Sequence, residues 1–464
     1  MQSSEKKKRG RDAFRETTMA RVVLVGSGPL PETNPESVSF PQLRCSHFMA
    51  AIRENHELAL ILLQAPKDPV PEDVECLVLP VDGEVSLEEA RAFTDQFDAD
   101  IVVGGGPYGP ARVAAAIAGD RPLWIDIPGD PYAEAQAKCA HSGEQGHTRE
   151  MRGAYAKAMA TADAFSVVSR PQRHALLGQL GLLGRLESAP VHQEWVHILP
   201  VAYGFSGLPS RAPRMREPGK LVVALCGGYN TWTDGETLLK GLLAAMKRAP
   251  GLRVMSTGGS IPGHHSATYE AFRAQALSSP FAQRFTFHGW VPHRVLPELL
   301  RSADVGLCLD RRGIEPELGS RTRVLFYLHQ GLEVVATPMT ALCEELAGLR
   351  MIHPVPVGNP TAVADALVAL SQEDSPTATV ERAQDFLTTR ATPKSVFLGF
   401  QQWLDEPVRV PASRDPAVEL SDEVQRLRAE LAEIHATPTW RAAGAADRIL
   451  KRSSRRIGGL LSKD

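Results

Sequence analysis

The segment Glu315-Pro-Glu317-Leu-Gly319-Ser320-Arg321-Thr322-Arg323 brings a serine, two arginines and the start of a helical pattern to one place. Free backbone N–H groups at a helix start and guanidinium forks both favour phosphate, so this segment can hold a diphosphate. The plainer reading has Ser320 as a helix cap and the arginines in solvent. Two further segments carry polar or glycine-rich turns after an apolar run: Cys226-Gly227-Gly228-Tyr-Asn230-Thr-Trp-Thr-Asp234 and Phe287-His288-Gly289-Trp290-Val291-Pro292. Both end strands of one sheet edge, where ligands of open α/β sheets bind.

The first half of the chain has its own candidates. GSGPLP (Gly26 and Gly28 within it) and GGGPYGP (Gly104, Gly105 and Gly106) both follow strand patterns. Glycines let a ligand come close, and they equally let the chain turn. Neither stretch is G-x-G-x-x-G, so the dinucleotide fingerprint is missing. Asp126-Ile-Pro-Gly-Asp130 puts two carboxylates at a strand end, candidates for general-base work. Asp130 also fits as the cap of a helix starting near Pro131.

Positioning these residues requires two sheets. Apolar runs at Arg21–Val25, Leu58–Leu63, Cys76–Val81, Asp100–Val103, Leu123–Ile127, Ala164–Val168 and His197–Val201 alternate with amphipathic segments. Such runs predict parallel strands buried on both faces. After the Pro-rich stretch Gly207–Gly219 the alternation restarts, with runs at Leu221–Cys226, Arg253–Ser256, Phe285–His288, Val305–Leu309, Val334–Thr337 and Met351–His353. A length of 464 residues exceeds what one core holds, since single cores stop growing near about 250–300 residues. The expected organisation is therefore an extension over 1–18, an α/β domain over 19–206, a linker over 207–219, a second α/β domain over 220–405, and a linker with a helical basic tail over 406–464. Pro393–Leu404 reads as a closing helix of the second domain.

Composition excludes several classes. A formal net charge of −3 carries no nucleic-acid signature. The six cysteines form no C-x-x-C pair, and several, such as Cys226 and Cys308, sit in apolar runs, as small buried hydrophobes do. No stretch of about 18 apolar residues exists, and the polar N-terminus has no apolar leader pattern, so the chain is expected in the cytoplasm. The folded pattern begins just after Met19, a candidate start. In the tail, Leu420, Val424, Leu427, Leu431 and Ile434 follow 4-3-4-3 spacing. That is a short coiled-coil seam for oligomerisation, or a helix docked on its own protein. Beyond Pro438 the residues Arg441, Arg448, Lys451, Arg452, Arg455 and Arg456 interleave with apolar ones. Such a segment suits an anionic membrane surface, or is a solvated tail.

The segments FHGWVPHRVLPELLRSADVGLCL and GSRTRVLFYLHQGLEVVATP resemble the GT-B superfamily of glycosyltransferases, and within it the family 4 type found in bacterial polysaccharide and lipopolysaccharide synthesis. RCSHFMAAIRENHELALI and LWIDIPGDPYAEAQAK are similar to N-terminal segments of such enzymes, and LRAELAEIHATPTWRAA to tails appended to them. The resemblance implies two facing Rossmann-like domains. The nucleotide-sugar donor would lie in the second, its base at Trp290 and Val291, its diphosphate at Ser320, Arg321 and Thr322. The glycan or lipid-linked acceptor would lie in the first, near Gly26–Gly28, Gly104–Gly106 and Asp126–Asp130. Two features depart from the family. The glutamate that holds the donor ribose is replaced by Phe326, with Glu315 or Glu317 near the place of its partner glutamate. The loop after the first strand of the second domain contains no basic residue. With no D-x-D motif in a fitting place, the expectation is metal-independent transfer without a cofactor, the arginines and helix dipole neutralising the leaving diphosphate. Two other readings stand beside it: a UDP-sugar epimerase of the same fold, and an inactive scaffold that recruits partners through its tail.

Overall fold

The computed structural model describes residues 19–413, apart from 35–37, 82–85, 144–145, 188, 204–214, 216, 218, 262–265 and 374–377, together with a few positions between 427 and 437. The extension over 1–18, most of the 207–219 linker and the basic segment after Pro438 lie outside the described residues.

Among the described residues, thirteen strands form two separate parallel sheets. The first contains β1 (Arg21–Ser27), β2 (Glu57–Leu63), β3 (Glu75–Leu79), β4 (Ile101–Gly105), β5 (Leu123–Asp126), β6 (Ala164–Val167) and β7 (Val196–Ile198), in the order β3-β2-β1-β4-β5-β6-β7. The second contains β8 (Lys220–Cys226), β9 (Gly251–Thr257), β10 (Phe285–Gly289), β11 (Val305–Cys308), β12 (Glu333–Ala336) and β13 (His353–Pro354), in the order β10-β9-β8-β11-β12-β13. Both orders reverse beside the first strand of their sheet. In each case the crevice at the carboxyl ends opens between that strand and the fourth. Val22–Val25, Ile101–Val103 and Val305–Leu307 are buried throughout, because helices cover both faces. This α/β architecture is the one the strand–helix alternation predicts.

The second domain ends earlier than 405. The helices Pro393–Val396 and Leu398–Asp405 cross back and pack on the first sheet, where Val396, Phe397, Phe400, Trp403 and Leu404 join the core of Val22, Leu24, Phe48 and Trp124. Phe48 meets Phe397 and Phe400 edge-on at 4.8 Å, and Trp124 meets Trp403 at 5.3 Å. Each such buried side chain contributes about 1.5–3 kcal/mol, more than enough to hold two short helices away from their own domain. Residues 406–413, expected as linker, also lie on the first domain. The Val410 N–H donates to Asp163 at 2.8 Å, and the Ser413 N–H donates to the Ala160 carbonyl at 2.8 Å. The reverse exchange is smaller. Val168, Val201 and Tyr203 of the first domain enter the core of the second, and the Tyr203 N–H donates to Ala391 at 2.9 Å.

No described helix is long and apolar enough to cross a membrane. Leu427, Leu431 and Ile434 are helical and exposed; Leu420 and Val424 lie outside the described residues.

Candidate functional site

The carboxyl edge of the second sheet has an open turn. β8 stops at Gly227, whose φ of +84° favours glycine, and the Gly227 N–H donates to Thr257 at 3.0 Å. A Cβ on Gly227 would meet only the Arg323 guanidinium, 3.7 Å away. Arg323 reaches this turn from the helix Thr322–His329 and donates through Nη2 to the Gly228 carbonyl at 2.6 Å. No carboxylate pairs with Arg323 among the described residues. The turn continues through half-buried Asn230 to Asp234, which caps the helix Gly235–Arg248. Trp290 stands at the rim, 55% exposed, with its indole N–H on the Ser260 carbonyl at 2.8 Å. A Cβ placed on Gly228 would fall 2.5 Å from Ile261 and 3.8 Å from the Trp290 ring, so Gly228 is a packing glycine like those of the first sheet. Val291 is half-buried beside it, while His288 and Glu317 point to solvent. A cation, a glycine turn and an exposed aromatic face therefore share one rim. The Gly227–Asp234 loop has no basic residue of its own, and the guanidinium that meets it comes from 95 positions further on.

Arg321 has a different position from the one its spacing suggests. Instead of facing the crevice it is buried, with Nε on both oxygens of Asp310 at 2.9 and 3.0 Å. Its terminal nitrogens grip Glu315 at 2.7 and 3.2 Å, and Nη1 also donates to the Ser320 carbonyl at 2.8 Å. These bonds commit four of the five guanidinium N–H groups, and the charge, to the chain's own carboxylates and backbone. Arg321 instead fixes the turn that starts the helix. Gly319 belongs to the same closure, since a Cβ there would lie 2.7 Å from Glu315 Oε1. Burial pushes the Glu315 carboxyl up to about 7, against the pull of Arg321. Ser320 does not cap the helix with its side chain; Ser320 and Thr322 are half-buried beside the turn.

The carboxyl edge of the first sheet is built more tightly. A Cβ on Gly26 would fall 2.0 Å from Cys45 Sγ, on Gly28 1.9 Å from Gln64 Oε1, on Gly104 2.9 Å from Ile125, and on Gly105 2.7 Å from Leu24. The space these four glycines leave is filled by the protein's own side chains, so they are packing glycines and not a ligand cradle. Gly106, with φ +150°, is the exception: it is buried, and a Cβ there would meet only Pro110, at 3.8 Å.

Both candidate bases are engaged as well. Asp126 is fully buried and accepts from Arg44 Nε at 2.9 Å, Arg44 Nη2 at 2.8 Å and the Ser166 hydroxyl at 2.5 Å. Arg44 also donates to the Leu199 and Pro200 carbonyls, so the pair ties the first helix to the end of the sheet. Asp130 caps the helix Pro131–Ser142 through the Tyr132 and Ala133 N–H groups, and its other oxygen accepts from Gln179 at 2.7 Å. The hydrogen bonds of both carboxylates are structural, which corrects the general-base reading of the pair.

Residues that sequence reasoning passed over stand where the two edges meet. The short helix Ile314–Leu318 of the second domain seats against the helices Pro131–Ser142 and Arg170–Leu182 of the first. The Ser169 hydroxyl donates to the Leu318 carbonyl at 3.4 Å. Facing this contact are Tyr108, two positions after the glycine run, and Glu134, one turn after Asp130. The Tyr108 hydroxyl donates to Glu134. The signals were present in the chain: a tyrosine after Gly-Gly-Gly-Pro, and a glutamate four positions after a helix cap.

No family model matches the chain, and no curated protein matches its sequence. Solved structures do match. Sucrose-phosphate synthase from Thermosynechococcus elongatus superposes with a TM-score of 0.58 at 15% identity, covering 83% of this chain and 98% of the other. HepE of Anabaena in complex with UDP-glucose gives 0.59 at 14% identity over 83% and 99%. WaaG, a glycosyltransferase involved in lipopolysaccharide biosynthesis, gives 0.54 at 14% identity over 84% and 99%. The fold is GT-B, two Rossmann-like domains facing each other across a cleft.

Proposed function

We propose that this chain is a glycosyltransferase of the hexosyl type, moving a sugar from a nucleoside-diphosphate sugar to a glycan or lipid-linked acceptor. The observation that carries the proposal is Arg323. It brings a guanidinium with no carboxylate partner among the described residues to the Gly227–Gly228 turn, next to the start of the Thr322–His329 helix. A diphosphate there meets the Arg323 charge and the free N–H groups of the helix start. The exposed Trp290 ring offers a stacking face for the nucleotide base. The acceptor lies across the cleft, near Gly106 and Tyr108. The reaction needs no metal in this reading, because Arg323 and the helix start neutralise the leaving diphosphate. The fold supports the reading, since several proteins that share it are named as glycosyltransferases or hold UDP or UDP-glucose.

A thermal-shift screen against nucleoside diphosphates tests it. A ligand at 100 times its dissociation constant stabilises by about 2.7 kcal/mol. No shift with any of them sinks the proposal. That result favours a second reading, a scaffold that has lost its donor, for which one observation speaks. Phe326, in the place of the ribose-binding glutamate, is buried against Tyr203 at 5.7 Å and His293 at 5.9 Å.

The tail completes the proposal. Its basic residues after Pro438 would hold the enzyme at the inner membrane face, about 1 kcal/mol each, and the Leu420–Ile434 seam would pair copies. Co-sedimentation with anionic vesicles, by the full chain and by a version ending at Asp415, checks the first. Equal sedimentation of the two excludes membrane docking by the tail.

A further inference from the structure

We propose that the contact between the two domains at the Ile314–Leu318 helix is held shut by protonation of its carboxylates, Glu134 of the first domain and Glu315 of the second. When both ionise, this contact opens. The inference goes beyond the transferase reading and does not depend on it. The domains meet in two ways. At the returning helices and at Tyr203 the contact is apolar, with Phe397, Phe400, Trp403 and Tyr203 buried in the cores they join. At Ile314–Leu318 a single helix of 5 residues seats on two helices of the first domain. Of its own residues only Glu315 and Pro316 are buried, and Ile314 stays 48% exposed. This helix removes little apolar surface from water, so charge weighs heavily in whether the contact closes.

The charges there do not balance. Inside the second domain, the buried Arg321 guanidinium is already divided between Asp310 and Glu315. Closure brings a further carboxylate, Glu134, within electrostatic reach of both Arg321 and Glu315. Glu134 is half-buried, with one oxygen 3.0 Å from a Cβ placed on Gly129 and the other bonded by the Tyr108 hydroxyl. The other groups around it add little cation. The Lys138 ammonium stands over the Tyr108 ring at 5.9 Å, and Tyr155 holds the Tyr108 N–H at 2.6 Å. The helix Arg170–Leu182 presents its Ser169 cap, while its Arg173 turns to Glu194 and the Val196 carbonyl, and Arg170 and His174 are exposed. From the second domain, Glu317 is exposed and the buried Cys308 thiol lies near Arg321. Burial pushes the Glu315 carboxyl up to about 7 against the pull of Arg321, and Asp310 and Glu134 add to the push. Burial also raises Glu134, against Tyr108, Lys138 and Arg321, with Asp130 adding to the rise. Like charges brought together out of water cannot both ionise cheaply, so closing takes up a proton from solvent. The closed contact holds that proton more tightly than the open one. Closure is therefore strongest at low pH and weakens as pH rises through about 7.

The test follows the full chain, Glu134→Gln and Glu315→Gln without any ligand, at pH 5 and pH 8. Small-angle scattering reads how open the molecule is. Hydrogen exchange, corrected for the pH dependence of the intrinsic rate, reads the helices Pro131–Ser142 and Ile314–Leu318. In the unaltered chain the radius of gyration should be larger at pH 8. Protection of the two helices should fall about tenfold or more, since each proton taken up on closing is worth up to about tenfold per pH unit. The strands Arg21–Ser27 and Lys220–Cys226 should keep their protection, which separates opening of the contact from loss of the fold. An amide at either position cannot ionise, so each variant should stay closed at pH 8, with helix protection within about threefold of its value at pH 5. Should one variant fail to fold, the other decides. The same scattering and protection at both pH values in the unaltered chain would overturn the inference. So would a loss at pH 8 that persists undiminished in the variants.

Discussion

The two sheets share a strand order and present the same carboxyl edge to the cleft, yet their edges are finished in opposite ways. In the first domain the glycines at the carboxyl ends of β1 and β4 are filled from within by Cys45, Gln64, Ile125 and Leu24. In the second, a Cβ on Gly227 would meet only the tip of Arg323, although the neighbouring Gly228 is packed against Ile261. The charged residues divide similarly. Arg44 and Arg321 are buried and paired with carboxylates, while Arg323 reaches the crevice with no carboxylate partner among the described residues. Glycine or arginine at a strand end is thus no sign of a binding site by itself. What matters is whether the protein has already used the space and the charge.

The contrast can be tested by breaking each kind of contact. The largest effects are expected at the buried pairs. Arg321→Ala strands Asp310 and Glu315, and Arg44→Ala strands Asp126, so each should cost about 3–5 kcal/mol in urea denaturation. A loss below 1 kcal/mol for Arg321→Ala would mean its charge is not committed to the carboxylates. Arg323→Ala should instead weaken nucleoside-diphosphate binding by about 1.5–3 kcal/mol, the range for a charge-assisted bond, and leave the melting temperature nearly unchanged. Equal affinity for both proteins would remove Arg323 from the donor site. Gly105→Ala should cost about 1–3 kcal/mol of stability through overpacking against Leu24 and Phe48, without touching nucleotide affinity.

The smallest effect is on pH. Glu315 titrates near 7 in the folded chain, well above its ordinary value of 4.5. The folded state therefore holds that proton more tightly than the unfolded one. The stability this supplies is complete below about pH 4.5 and is lost as pH rises through 7. Denaturation at pH 5 and pH 8 should show a smaller loss across that range for Glu315→Gln than for the unaltered chain. The same loss in both would place the titration elsewhere.

Much of the architecture was legible in the chain because its causes are local. A strand covered on both faces must be apolar along its length, so Val22–Val25 and Val305–Leu307 announce themselves without any knowledge of their neighbours. The restart of alternation after residue 219 marked the second sheet for the same reason. The turns at Gly227 and Trp290 could be assigned to one edge because strand ends in a parallel sheet share a side. Which residues at that edge remain available was settled by tertiary contacts alone. Arg44 meets Asp126 across 82 positions, and Arg323 meets Gly228 across 95. The helices after Pro393 return to the first sheet because Phe397, Phe400 and Trp403 find Phe48 and Trp124 there, more than 270 residues upstream. Hydrophobic periodicity shows that a face must be buried, but not against what. A charge is likewise visible in the chain, whereas its partner is known only once the chain has closed.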